Sequence, residues 1–278
     1  MNFSGKRVLI TGGSRGIGKA YAQAFAKHGA KVAINYVRNA DAAHATLAGL
    51  AGEGHILVQT DVADPTAIEG LIAKTVTGLH GLDIVVNNAG ISEYHSITDV
   101  SYEEWQASWD RIINLNLRAP ANVIYWATQY MRQNGGGRIV NVSSRGAFHG
   151  EPEMPAYGAS KAGLNTMTQS LAQKLAPDNI YLGVVAPGFV ETEMVTHVLA
   201  GERGESIRNQ SPLGRVAKPE EVAYAVIFLA AEESKFSTGT IIDVNGVSYL
   251  RGSCSKCCWY GQMTLLRKNR SKRRHPVI

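Results

Sequence analysis

The chain alternates between short, almost wholly apolar runs and longer amphipathic stretches. "RVLIT" (7–11), "KVAIN" (31–35), "HILVQ" (55–59), "DIVVN" (83–87), "RIVNV" (138–142), "YLGVV" (181–185) and "TIIDV" (240–244) are rich in β-branched residues. Several are apolar at nearly every position, which predicts strands buried on both faces of a parallel sheet. Helices are predicted near 17–28, 65–79, 101–133, 156–176 and 219–231. Regular strand-then-helix alternation predicts an α/β fold: a single-domain, Rossmann-like, doubly wound parallel sheet of about seven strands with helices on both faces. No obvious linker interrupts residues 1–250, so they are read as one domain.

Composition then divides the chain in two. Hydrophobic residues make up 45% and charged residues 18%, which is globular and excludes a disordered or fibrous bulk. The net charge of +5 is not spread evenly. Residues 251–278 carry eight of the 28 Lys/Arg and none of the 23 Asp/Glu, which leaves 20 basic against 23 acidic residues elsewhere. The basic character thus belongs to the tail, and the acidic body gives no reason to expect a nucleic-acid partner. All three cysteines, Cys254, Cys257 and Cys258, also lie in the tail. The body therefore has neither a disulfide nor a cysteine nucleophile. Cys254, Cys257 and Cys258 with His275 could be read as a zinc set, but a single CxxC without a second spaced pair favours no metal. The tail is read as an extension outside the fold. No apolar run reaches the ~20 residues of a membrane span. The N-terminus enters a strand at once, so a soluble cytoplasmic protein is expected.

The first candidate chemistry is a loop. "VLITGGSRGIGKAYAQAFAKHGAKVAIN" reads as strand, Gly-rich turn, helix and second strand. Glycines 12, 16 and 18 give G-x-x-x-G-x-G rather than G-x-G-x-x-G. A Gly-rich turn opening a helix lets a pyrophosphate approach the backbone, where N–H groups and the helix dipole favour an anion. After the first strand of such a sheet this is a dinucleotide loop, with Gly12, Ser14, Arg15, Gly16, Ile17 and Gly18 as candidate contacts. NAD binders place an acid about 20 residues further on, to hold the ribose 2′-hydroxyl. Here Asn35, Tyr36 and Arg38 stand in that region. Arg15 and Arg38 could bracket a 2′-phosphate, so NADP(H) is expected over NAD(H).

The second is "EPEMPAYGASKAG" (151–163), where Tyr157 and Lys161 are four apart. A helix starting near Pro155 would put both on one face. Spacing alone leaves open a solvated pair or an acid beside its charge.

Together, "TGGSRGIG" (11–18), "DV" (61–62), "NNAG" (87–90), "NL" (116–117), "VSS" (142–144), "YGASK" (157–161) and "PGFVET" (187–192) resemble the short-chain dehydrogenase/reductase family. The resemblance covers residues 4 to about 250 and is closest in style to 3-oxoacyl carrier-protein reductase-like and sugar or polyol dehydrogenase-like members. It implies an oxidoreductase moving a hydride between NADP(H) and a carbonyl or secondary alcohol, a small-molecule substrate, and a homo-oligomer, dimer or tetramer. It also implies that Tyr157 is the general acid/base and that Lys161 binds the nicotinamide ribose and favours phenolate. Ser144, thirteen residues before Tyr157, would hold the substrate oxygen. Asn116 would hold a helix kink and a relay water. For the cofactor it implies Asp61 and Val62 at the adenine. Asn88, Ala89 and Gly90 would lie beside the adenine ribose, with Asn87 bracing the sheet. Pro187, Gly188, Val190 and Thr192 would meet the nicotinamide carboxamide. A free phenol has a pKa of about 10, so the charges of Lys161 and the oxidised ring are expected to lower it.

Substrate choice is expected to rest on 189–213, read as a polar lid, and on residues from Arg145 to Met154. Arg145, His149, Glu151 and Glu153 are read as solvated rim charges, His95 and His197 as surface residues, and Trp109 as core packing. Two other readings stay open: an NADP(H)-sensing or scaffold protein without catalysis, and an NAD(H)-dependent alcohol or polyol dehydrogenase.

Overall fold

A computed structural model describes residues 1–201 and 203–251; the side chain of His197 and the tail residues Cys254, Cys257, Cys258 and His275 lie outside the described residues. The compact unit Met1–Ser248 is built around one sheet. Its elements run β1 (Arg7–Ile10), α1 (Gly16–Lys27), β2 (Lys31–Tyr36), α2 (Ala40–Ala48), β3 (Ile56–Gln59), α3 (Ile68–Leu79) and β4 (Ile84–Asn87). Then come α4 (Tyr102–Ile113), α5 (Ala119–Gln133), β5 (Gly137–Val142), α6 (Gly146–His149), α7 (Pro155–Leu175), β6 (Ile180–Pro187), α8 (Glu193–Ala200), α9 (Arg203–Arg208), α10 (Pro219–Ala230) and β7 (Ile241–Val244).

The sheet order is β3-β2-β1-β4-β5-β6-β7, and every pairing is parallel. The apolar runs follow from burial on both faces. Val8 and Ile10 enter a layer with Tyr21 and Phe25 of α1 and Val222 and Val226 of α10. Leu9 enters the opposite layer with Leu71 of α3, Ile124 and Met131 of α5, and Ala172 of α7. The order reverses between β1 and β4, and a crevice opens outside the carboxyl ends of strands at such a point.

Three elements depart from the hydrophobic pattern. The segment 101–133 is not one helix: a five-residue π-turn, Asn114–Arg118, separates α4 from α5. Helix α2 is too Ala-rich to show a clear apolar stripe. Its signal is local, the Asn39 side chain accepting from Ala42 N–H at 2.9 Å as an N-cap. The polar 189–213 stretch carries two short helices, α8 and α9. Trp109 belongs to neither core layer. It is half-buried and its ring lies 5.8 Å from that of Trp105, which in turn lies 5.8 Å from the His95 ring. Among the described residues no helix is long and apolar enough to cross a membrane.

Candidate active site

The β1–α1 loop is shaped by three glycines with different jobs. Gly12 (φ +62°) and Gly16 (φ +54°) occupy the left-handed region, which disfavours a side chain. Gly18 is required by contact: a Cβ there would lie 2.3 Å from Gly12 O and 2.7 Å from Asn88 Nδ2. The resulting cradle at the N-terminus of α1 fits a pyrophosphate.

Asparagines rivet this loop to its neighbours. Asn88 Nδ2 donates to Thr11 O at 2.9 Å and Gly12 O at 3.0 Å, while Thr11 Oγ1 accepts from the N–H groups of Asn88 and Ala89. Asn35 is 1% exposed and donates to Val58 O and Thr60 O, and its Oδ1 accepts from Gly12 N–H at 3.3 Å. Asn35 thus braces the loop, leaving half-buried Tyr36 and exposed Arg38 as the residues at the end of β2 that face outward. Arg15 is exposed as well, and neither guanidinium forms an ion pair among the described residues. At the end of β3, Asp61 is exposed and Oδ1 accepts from Ala63 N–H, while Val62 is buried in the core. Asn114 Nδ2 donates to Ala63 O at 2.9 Å and fixes that turn.

The second group gathers at the ends of β4 and β5. A polar chain crosses the interior: Asn87 Nδ2 donates to Asn141 Oδ1 at 2.8 Å, and Asn141 Nδ2 to Thr168 Oγ1 at 2.8 Å. It ties β4, β5 and α7 together and explains why "NN" and "VNV" carry amides inside apolar strands. Asn116 is 0% exposed in the π-turn. Its Oδ1 accepts from Ile91 N–H and its Nδ2 donates to Ile91 O, both at 2.9 Å, with Ser160 Oγ at 3.2 Å. Gly90 is packed into this corner, since a Cβ there would lie 3.0 Å from Asn116 Oδ1 and 3.4 Å from Lys161 Nζ.

Ser143 and Ser144 separate by partner. Ser143 Oγ donates to Lys161 O at 3.2 Å and is spent on the α7 backbone. Ser144 Oγ accepts from Gly146 N–H at 3.0 Å and hydrogen-bonds the Tyr157 phenol. Lys161 is 5% exposed, lies 5.8 Å from the Tyr157 ring centroid, and donates from Nζ to Val142 O at 2.9 Å. Asn116, Ser144, Tyr157 and Lys161 therefore stand together beside Gly90.

Desolvation dominates the electrostatics of the ligand-free site. Burial is the main influence and raises the Tyr157 pKa above its ordinary value; the Ser144 hydrogen bond opposes it and Glu151 adds to it. Desolvation also acts on Lys161, bringing its ammonium down to about 8. In the ligand-free protein burial is the largest influence on both groups.

The loop after β6 closes the site. Gly188 packs against Asn245, Val190 is buried and bridges to Ala217, and Thr192 reaches the glycine loop, 3.8 Å from where a Gly16 Cβ would be. Pro187 ends β6.

Two polar residues are misjudged by sequence. His95 is not on the surface: it is 0% exposed. Its Nδ1 lies 2.8 Å from Glu93 O, so Nδ1 carries the proton and Nε2 accepts from Ala156 N–H at 3.0 Å, capping the start of α7 one residue before Tyr157. Arg145 is not a solvated rim charge: it is 6% exposed with its guanidinium 5.0 Å above the Phe189 ring. His149 and Glu153 are exposed, and Glu151 is half-buried. No group of three or more His, Cys, Asp or Glu positioned to hold a metal occurs among the described residues.

Comparisons agree with this architecture. The family profile described as Enoyl-(Acyl carrier protein) reductase matches residues 12–246. The chain is 40% identical over 248 residues to a 3-oxoacyl-(acyl-carrier-protein) reductase FabG of Thermotoga maritima, covering 88% of this chain and 98% of the relative. It is 38% identical over 250 residues to that of Escherichia coli, covering 90% and 100%. Among solved structures, a short-chain dehydrogenase from Burkholderia cenocepacia in complex with NADP superposes with a TM-score of 0.80 at 34% identity, covering 89% of this chain and 99% of that one. A dehydrogenase/reductase from Sinorhizobium meliloti gives 0.81 at 34% identity, covering 90% and 97%.

Proposed function

The chain belongs to the short-chain dehydrogenase/reductase family of oxidoreductases, and on that premise we propose that it interconverts a carbonyl and a secondary alcohol with NADP(H), using Tyr157 as the general acid/base. The observation that carries this reading is the convergence of Asn116, Ser144, Tyr157 and Lys161 beside a loop whose glycines leave room for a pyrophosphate.

Residues of the chain divide the work. The glycine loop and the α1 N-terminus bind the pyrophosphate, and Asp61 with the Asn88–Gly90 turn holds the adenosine side. Arg15 and Arg38 select the 2′-phosphate, since no acid stands between Asn35 and Arg38 to repel it. Thr192 and the Pro187–Val190 stretch orient the nicotinamide, which supplies or accepts the hydride when bound. Ser144 holds the substrate oxygen. Tyr157 donates its phenolic proton to that oxygen during reduction and takes it back during oxidation. A phenol with a raised pKa stays protonated in the resting protein, the form that reduction consumes. Lys161, held by Val142 O, supplies the positive charge that stabilises phenolate once the proton has left. Asn116 keeps the π-turn open and holds Gly90 and Ile91 in place.

The test follows absorbance at 340 nm with NADPH and with NADH across ketones, oxoacyl thioesters and polyols. NADPH is expected to support turnover at a kcat/KM at least tenfold above NADH, and Arg38→Ala is expected to erase most of that difference. Equal use of NADH would overturn the cofactor assignment. Tight NADPH binding without turnover of any class would make the protein a nucleotide sensor.

A further inference from the structure

Two buried arginines are left unused by the proposed reaction: Arg138, which pairs with Glu232, and Arg145, which has no such partner among the described residues. Arg145 follows Ser144 directly and is 6% exposed. Its guanidinium makes no hydrogen bond or ion pair with any described residue; Glu151 acts on it only through longer-range attraction. A buried charge without a counter-ion is costly, and such groups are paired in most proteins.

The guanidinium borders a cavity of about 90 Å³ that Phe189, Ile207 and Val244 also line. A single water needs about 10–15 Å³ of such volume, so the space admits a small organic group. Ser248 lines the same cavity, and its Oγ is buried with no hydrogen-bond partner among the described residues. The other basic residue at the rim, Arg215, is already engaged by Glu221 through two 2.7 Å bonds. The unmatched charge of the cavity is therefore that of Arg145, and Ser248 in the same wall carries an unmatched hydroxyl that must turn toward the cavity to meet a ligand. Phe189 covers one face of the guanidinium, so a ligand would meet its N–H donors along the edge, which suits the planar fork of a carboxylate.

We propose that Arg145 and Ser248 form a carboxylate-binding subsite, and that the substrate is a keto acid or hydroxy acid whose carboxylate lies in this cavity. Arg145 follows Ser144 in the chain, and such a substrate must reach from the cavity to the Ser144 hydroxyl. The assignment as substrate subsite rests on the oxidoreductase reading above; the carboxylate site itself does not. Phe189 and Ile207 would cover the methylenes between the two ends.

Binding and turnover separate the two ideas. Calorimetric titration of the full chain with 5-oxohexanoate and with its methyl ester is expected to show the acid bound at least tenfold more tightly. Arg145→Leu should abolish that preference, and Ser248→Ala should reduce it several-fold. Arg145→Lys, which keeps the charge without the fork, should fall between wild type and Arg145→Leu. If Arg145→Leu does not fold, as judged by its melting curve, the lysine and Ser248→Ala variants decide. Equal binding of acid and ester, no binding of the acid, or a preference that survives these substitutions would overturn the subsite. In the NADPH assay, acid turnover should lose several-fold more than ester turnover in Arg145→Lys. Acid-selective binding with no turnover of either compound would instead leave the subsite standing and remove the oxidoreductase assignment for such substrates.

Discussion

The two sides of the sheet's carboxyl edge are built by different physics. On the β1–β4 side the site is made of backbone: glycines clear a path, and Thr11, Asn35, Asn88 and Asn114 hold loops through short side-chain-to-backbone bonds. On the β5–β7 side it is made of buried functional groups: Lys161, Tyr157 and Arg145 are held where burial disfavours charge. The first arrangement gives shape at little energetic cost, because the loop-holding side chains of Thr11, Asn35, Asn88 and Asn114 all find backbone partners. The second is expensive for the ligand-free fold and useful only when a ligand completes it. Stability and activity are therefore expected to respond oppositely on the two sides.

The largest effect belongs to the phenol. Tyr157→Phe keeps the ring and removes the proton, so turnover should fall by about 10²–10⁴-fold while nucleotide binding persists. Stopped assays combined with NADPH fluorescence titration measure both. Retained turnover would remove the proposed mechanism.

Gly18→Ala probes the backbone side. Its methyl would meet Gly12 O at 2.3 Å, so the loop must shift. Nucleotide affinity should drop about 10–100-fold, and the melting transition should reveal a loss of ~1–3 kcal/mol. An unchanged affinity would show that the cradle has slack.

Lys161 tests the opposite sign. Its folded pKa of about 8 lies below the ~10.4 of a free lysine. Between these values the unfolded chain binds more protons than the folded one, so the ligand-free protein should gain stability as pH rises through that window. Below pH 8 both states carry the proton and the burial cost is present in full. Lys161→Met should therefore raise ligand-free stability at pH 7 by about 1–2 kcal/mol, flatten the slope between pH 8 and 9.5, and abolish turnover. Urea unfolding across pH 7–9.5 reads the difference; a destabilised variant would mean that the Val142 O contact outweighs the cost of the charge.

Much of this was legible in the chain. The inner strands appear as apolar runs because both of their sheet faces are buried. The β1–α1 loop is contiguous, so its glycines identify one another. The residues that sequence misplaces share a cause: their environment is set by partners far along the chain. His95 is capped against Ala156, 61 residues away. The pattern for 101–133 is helical throughout, and the π-turn exists because the buried Asn116 amide is drawn to Ile91. Arg145 reads as an ordinary loop charge until Phe189 is folded over it.

By itself, then, the sequence determined the sheet and the glycine loop, because these depend on local periodicity and residue chemistry, while the expected acid, base and charge came from its resemblance to a family. The tertiary structure alone decided that burial raises the Tyr157 pKa and lowers that of Lys161, and that Arg145 lies unpaired at a cavity. Those outcomes depend on desolvation and on hydrogen bonds closed between distant segments, and neither exists until the chain has folded.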